Sequence, residues 1–171
     1  MKKYIRSDES YDPDDAFDVD EERRAYIARD TDSEELLEIY SYDPDDHVRH
    51  SVAFNSNTPV DILEQLAGDE SFHTRWAVAC NENTPVDLLI RMADDEDEDV
   101  RSNVAWNPNT PVEILRKLAS EHNNRVYEGL LENPNTPLDV LETILMDDNA
   151  KWLHDDVLNH PVWIQNYGGC E

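Results

Sequence analysis

Two cysteines stand in the 171 residues, Cys80 and Cys170, ninety positions apart and without a partner motif. That spacing supplies neither a disulfide framework nor a zinc site. Long apolar runs are missing too. Glycine occurs four times, the mean hydropathy is −0.76, and Lys2-Lys3 at the start has no apolar stretch behind it, so neither a membrane protein nor a secretory signal is expected. The chain reads as cytoplasmic. Bases are few, 14 Lys and Arg against 40 Asp and Glu for a net charge of −26, and such a surface repels the phosphates of nucleic acid. Six histidines, His47, His50, His73, His122, His154 and His160, recur neither as metal-ligand pairs nor beside a plausible nucleophile. No catalytic residue, metal or cofactor is therefore expected, and the chain does not read as an enzyme.

What the chain has in quantity is repetition. Thr58-Pro59, Thr84-Pro85, Thr110-Pro111 and Thr136-Pro137 lie 26 residues apart. A fixed period of this length marks units too small to bury their own apolar face, which must stack on their neighbours. The length is that of one ordinary domain, and 39% hydrophobic residues suit a thin stack better than a globule.

Thr before Pro predicts a helix start, with the hydroxyl accepting from an orphan backbone N–H and Pro at the first helical position. Three residues after each Thr comes an acid, Asp61, Asp87, Glu113 or Asp139, completing a capping-box pattern at the positive end of the helix dipole. The helix that follows carries an apolar stripe such as Val112, Ile114, Leu115, Leu118 and Ala119. At about nine residues it is marginal alone and depends on packing between repeats. Before each Thr lies an Asn-x-Asn turn, as in Asn55/Asn57, Asn81/Asn83, Asn107/Asn109 and Asn133/Asn135. Asn closes turns on its own backbone, and Asn stacked at one position per repeat can form a ladder bonding the backbone of the next turn.

Three good copies span 48–73, 74–99 and 100–125, each opening with a short segment such as Val100-Arg101-Ser102-Asn103-Val104-Ala105-Trp106 that fits two turns of α or 3₁₀ helix. A copy near 22–47 is degenerate, with Asp32 where Thr stands elsewhere; 126–151 keeps the Thr-Pro; 152–171 loses it but holds Asn159 in register. Residues 1–20 form an acidic extension with two readings, a flexible leader or a cap docked through Tyr4, Ile5 and Phe17.

The run Val100-Arg101…Val104-Ala105-Trp106-Asn107-Pro108-Asn109-Thr110-Pro111…Ile114-Leu115…Leu118-Ala119 resembles the variant leucine-rich repeat family, found mainly in bacteria. The match covers 48 to about 145 well and the flanks weakly. The resemblance implies an all-α, right-handed α-solenoid, a HEAT- or armadillo-like superhelix of α-helices alternating with short α or 3₁₀ helices. It brings no catalytic motif. The N-terminal cysteine cluster that some members use for an iron–sulfur centre is not carried over, because no Cys precedes Cys80.

Three groups of residues are candidate partner-binding sites. Arg23, Arg49, Arg75 and Arg101 share one repeat position, with Arg24, His50 and Trp76 beside them. They form either a cationic groove for an acidic partner or ties between repeats, each Arg pairing with the acids just before it, such as Asp45/Asp46 or Asp97/Asp99. Asp94, Asp95, Glu96, Asp97, Glu98 and Asp99 run unbroken. They are either solvated loop or part of an acidic edge that attracts a basic protein, and they lack the alternating ligands and Gly of an EF-hand. Phe54, Cys80 and Trp106 share a further position, as core or, where exposed, as a hot spot. The expected function is a non-enzymatic scaffold for protein–protein interaction. The alternative is an acidic antagonist of a basic protein, such as an immunity protein or a nucleic-acid mimic.

Overall fold

The computed structural model describes residues 20–168. The expected extension over 1–20, with its docking groups Tyr4, Ile5 and Phe17, lies outside them apart from Asp20. Among the described residues the chain is all helical, without strands. Six repeats appear as pairs: α1 (Glu21–Asp30) and α2 (Glu34–Ser41), α3 (Asp46–Phe54) and α4 (Val60–Leu66), α5 (Phe72–Cys80) and α6 (Val86–Met92), α7 (Glu98–Trp106) and α8 (Val112–Ala119), α9 (Asn124–Glu132) and α10 (Leu138–Met146). The sixth begins with a 3₁₀ helix, η1 (Asp148–Leu153), followed by α11 (His154–Asn159) and α12 (Pro161–Tyr167). The opening segments of the middle repeats are thus nine-residue α-helices, and among the described residues the 3₁₀ helix is η1. No described helix is long and apolar enough to cross a membrane.

Odd-numbered helices pack on one another in series, α1 on α3, α3 on α5, α5 on α7 and α7 on α9, while the even-numbered helices pack beside them, α2 on α1 and α3, α4 on α3 and α5, α6 on α7, α8 on α7 and α9, and α10 on α8 and α11. The core between the layers repeats with the sequence. Val52, Val78, Val104 and Leu130 from one layer meet Leu63, Leu89, Leu115 and Leu141 from the other, all fully buried. Alanines at 53, 79 and 105 are fully buried, and Gly129 lets α9 approach α7 closely. A Cβ at Gly129 would stand 2.1 Å from the Ser102 carbonyl oxygen, so α9 reaches α7 only because the side chain is missing.

The repeated polar residues join one unit to the next. Asn81 donates its Nδ2 to the carbonyls of Ala53 (2.8 Å) and Asn55 (2.9 Å), and Asn107 donates to Ala79 (2.8 Å) and Asn81 (3.1 Å). Asn133 repeats this on Ala105 and Asn107, and Asn55 does so on Ala28 and Thr31. Each Oδ1 accepts the N–H two residues on, as in Asn109 N–H to Asn107 at 2.9 Å. The ladder exists, and it reaches back to the preceding repeat. The second Asn of each turn makes a parallel, more exposed rung, as from Asn109 to the Glu82 carbonyl at 2.7 Å.

Two expectations are corrected here. The threonines do not cap the helices after them: Thr58, Thr84, Thr110 and Thr136 donate to the carbonyls of Val52, Val78, Val104 and Leu130 at 2.5–2.6 Å. Those carbonyls belong to the last turn of the preceding helix, where acceptors run short of donors; the Asn55, Asn81 and Asn133 N–H groups reach those of Val52, Val78 and Leu130, and the buried hydroxyl supplies a further donor. Pro59, Pro85, Pro111 and Pro137 then hold the N-cap position without a side-chain cap, and no capping box closes. The acids keep their place in the first turn, near the positive helix end. In the last repeat the ladder position belongs to His160, not Asn159. His160 is buried, its Nε2 lies 3.2 Å from the Asn133 carbonyl, and its Nδ1 accepts the Val162 N–H. Asn159 turns outward to the Asp155 carbonyl.

Replacing Asn107 removes two donors and an acceptor from a site with no solvent access, at about 1–3 kcal/mol for each stranded group. Asn107→Ala should therefore lower unfolding free energy by about 3 kcal/mol in urea titration. Asn107→Asp should cost more, because a carboxylate would face the Ala79 and Asn81 carbonyls.

Candidate functional site

The arginine column is built by the loops on either side of each odd-numbered helix. Arg49 on α3 forks onto Asp69, Nε to Oδ2 at 2.6 Å and Nη2 to Oδ1 at 2.9 Å, while Nη1 donates to the carbonyls of Asp43 and Pro44. Arg75 on α5 repeats the arrangement on Asp95 at 2.8 and 3.0 Å, with Nη1 on the carbonyls of Asp69 and Glu70. Arg101 reaches Glu121 at 2.9 Å and the carbonyls of Asp95 and Glu96. The carboxylate thus comes from the following loop, and the preceding loop offers only backbone. The expected pairing with the acids just before each Arg is corrected accordingly. Those acids have other work: Asp45 and Asp97 cap α3 and α7, Asp46 accepts the Ser71 hydroxyl, and Asp99 takes Arg125.

In the first repeat the rung is Arg24 on Asp43, at 2.7 and 3.1 Å, rather than Arg23, whose guanidinium lies over the Tyr26 ring. Where the column expects an arginine at 127, Tyr127 donates to Asp147 at 3.1 Å and lies 3.0 Å from His122 Nδ1, which is itself 2.9 Å from Asp147. Burial and the neighbouring carboxylate push the Tyr127 phenol up to about 12, so it stays a donor. Spacing of the acids, Asp69, Asp95, Glu121 and Asp147, follows the 26-residue period and could have revealed these partners.

Arg49 and Arg75 are each only 8% exposed, and their forks are closed inside the stack. They tie repeats together and present no groove for an acidic partner. The acidic run is likewise occupied. Asp94 takes Lys117 at 2.6 Å, Asp95 takes Arg75, Asp97 caps α7, Glu98 takes Asn123 at 2.7 Å, and Asp99 takes Arg125. Glu96 stands furthest out, 3.6 Å from Arg75 Nη2 with its side chain 91% exposed. Three of the six acids, Asp94, Glu98 and Asp99, bond side chains of the next repeat.

What this stitching leaves outward is a row on the odd-numbered helices. His50 stacks between Phe54 (6.1 Å, 21°) and Trp76 (5.9 Å, 18°), and its Nδ1 lies 3.0 Å from the His73 carbonyl. Arg29 of α1 covers the Phe54 ring at 5.4 Å. Cys80 and Trp106 continue the row, both half-buried; Phe54 is 40% exposed. The reading of position 54 as core is therefore corrected: an aromatic here sits on the outer side of α3. Cys80 is half-buried, and that burial, then Glu82, raises its thiol pKa. Cys170 lies outside the described residues.

A single group gathers metal-type ligands among the described residues. Asp45, Asp46 and His47 bring one atom each within 4.8 Å, although Asp45 is engaged as a cap and Asp46 with Ser71. Comparison with protein-family models, curated proteins and solved structures finds no match.

Breaking a rung leaves a nearly buried carboxylate unpaired, a loss of about 3 kcal/mol. Arg75→Ala should lower the melting temperature accordingly, and Arg75→Lys should recover little of it because an ammonium cannot fork; an unchanged melting temperature would contradict the rung. Acid should act on the same bond. Burial disfavours the Asp95 anion, but the Arg75 fork, the Asp97 N–H and the nearby arginines outweigh it and hold its pKa below the usual value. The unfolded chain then binds more protons in that interval, so the stabilisation is complete above about 4, the unfolded value. It fades as pH falls through the folded value. Asp95→Asn should flatten the acid limb of the stability–pH curve.

Proposed function

We propose that the chain is a cytoplasmic, non-enzymatic scaffold of variant leucine-rich repeat type, a right-handed α-solenoid that holds a protein partner on its odd-numbered helices. The observation that carries this reading is the division of labour along the stack. Asn and Arg side chains bond across repeats and Thr within them, whereas the Phe54–His50–Trp76 row keeps part of its surface open, Phe54 exposed and Trp76 half-buried against the core, with Trp106 beyond it. Aromatic side chains on a rigid surface are the usual anchors of protein interfaces. The serial packing of the odd-numbered helices, each 26-residue unit on the next, supports the solenoid. The alternative, an acidic antagonist of a basic protein, gains less support, because all of the carboxylates from 94 to 99 except that of Glu96 are engaged within the chain.

Capture of the tagged chain's partner from native lysate, at low and high salt, tests the proposal. Retention should survive high salt, since an aromatic contact is not screened, and the Phe54→Ser/Trp76→Ala/Trp106→Ala variant should lose it by at least about tenfold while keeping its helical circular dichroism. Equal retention by that variant would overturn the reading. Release by salt alone would favour the antagonist.

A further inference from the structure

The serial packing of the odd-numbered helices stops at α9, which barely meets α11. In the last repeat the first helix is broken into η1 and α11 and the ladder position has slipped by one residue, from 159 to 160. The two helices therefore do not close on each other. Between them opens a cleft of about 490 Å³. Leu131 and Pro161 form its apolar lining, Trp152 stands at its side with more than half its surface exposed, and Glu128, Glu132 and Asp156 line it with carboxylates. Glu128 holds Arg125 at 2.7 Å. Glu132 and Asp156 have neither an ion pair nor a side-chain hydrogen bond among the described residues. Residues 128 and 132 hold the same repeat positions as Trp76 and Cys80, one from each half of the aromatic row, so the cleft continues that row toward the C-terminal end.

An apolar lining, an exposed indole and uncompensated carboxylates together fit one kind of side chain, a long alkyl stem with a cationic head. The stem would lie on Leu131 and Pro161 and the head against the Trp152 ring and between the carboxylates. A planar guanidinium satisfies both demands at once, stacking on the indole while forking to a carboxylate. We propose that the cleft between α9 and α11 receives an arginine of the protein partner; this rests on reading the aromatic row as the partner's seat. A second copy of the chain is a poor occupant, since it carries the same net charge of −26, and like charges oppose association.

The test uses the full chain, labelled with ¹⁵N, and two blocked peptides of leucine and alanine that differ only in a central arginine or its neutral isostere citrulline. The arginine peptide should shift the Trp152 indole N–H and the Leu131 and Asn159 amides, and the citrulline peptide should not. Glu132→Gln with Asp156→Asn should weaken binding by about tenfold with unchanged near-UV circular dichroism, because neither side chain holds the fold. Equal shifts from both peptides, equal affinity of the double variant, or no shifts at millimolar peptide would overturn the proposal. So would binding that emerges only when residues 1–19 are removed, or a dimer in sedimentation that the double variant dissociates; these would assign the cleft to the chain's own start or to a second copy. A partner lost by the row variant but unaffected by the double variant would remove the cleft from the interface and leave the scaffold standing. The expected peptide response without any partner on the row would support the cleft and sink the scaffold.

Discussion

Everything in this molecule depends on helices that cannot stand by themselves. Six to ten residues is too short for a stable helix in water, so each unit must be held by its neighbours, and the buried carboxamide of Asn55, Asn81, Asn107 and Asn133 does this at the centre of the stack. One Nδ2 group satisfies two carbonyls of the preceding repeat while the same side chain's Oδ1 closes its own turn. No residue other than Asn or Gln offers two donors and an acceptor without charge. A shorter stem also leaves less freedom to lose on burial, which favours Asn.

Around that centre the arginine fork acts at the loop edge. Arg49–Asp69 and Arg75–Asp95 span successive loops, and the same aspartates also accept a backbone N–H two residues on, from Ser71 and Asp97. One carboxylate therefore shapes its own loop and grips the previous helix. The device recurs at each turn, yet an acid paired with an arginine adds nothing to the net charge of −26, which comes from the acids left without a base.

The period, the helix pairs and the apolar stripes could be read from the residues, because each is a local pattern with one physical cause. Partner assignments could not. Sequence neighbours drew Arg49 toward Asp45 and Asp46, yet the fork closed on Asp69, because a repeat fold brings residues about one period apart side by side. Thr110 is attractive as a cap beside Pro111; the buried Val104 carbonyl competes for the same hydroxyl and wins. Small slips of register at the ends, Arg24 for Arg23 and His160 for Asn159, depend on packing that no fixed period reports. The aromatic row was legible as repeat positions but not as surface, since whether position 54 or 106 faces inward is set by the helix's rotation. The cleft beside Trp152 had no signal in the residues, because it exists only where two helices fail to meet.

The Asn ladder has a direction. Each repeat's carbonyls are filled by an amide from the repeat after it, and each amide depends on carbonyls already in place before it. The two ends of the stack are therefore chemically unlike. Loss of the last unit would bare carbonyl oxygens to solvent, whereas loss of the first would bare the Asn55 amide donors. A chain emerging from the ribosome presents its acceptor end at every stage: each finished repeat offers carbonyls, and the amide of the next closes over them.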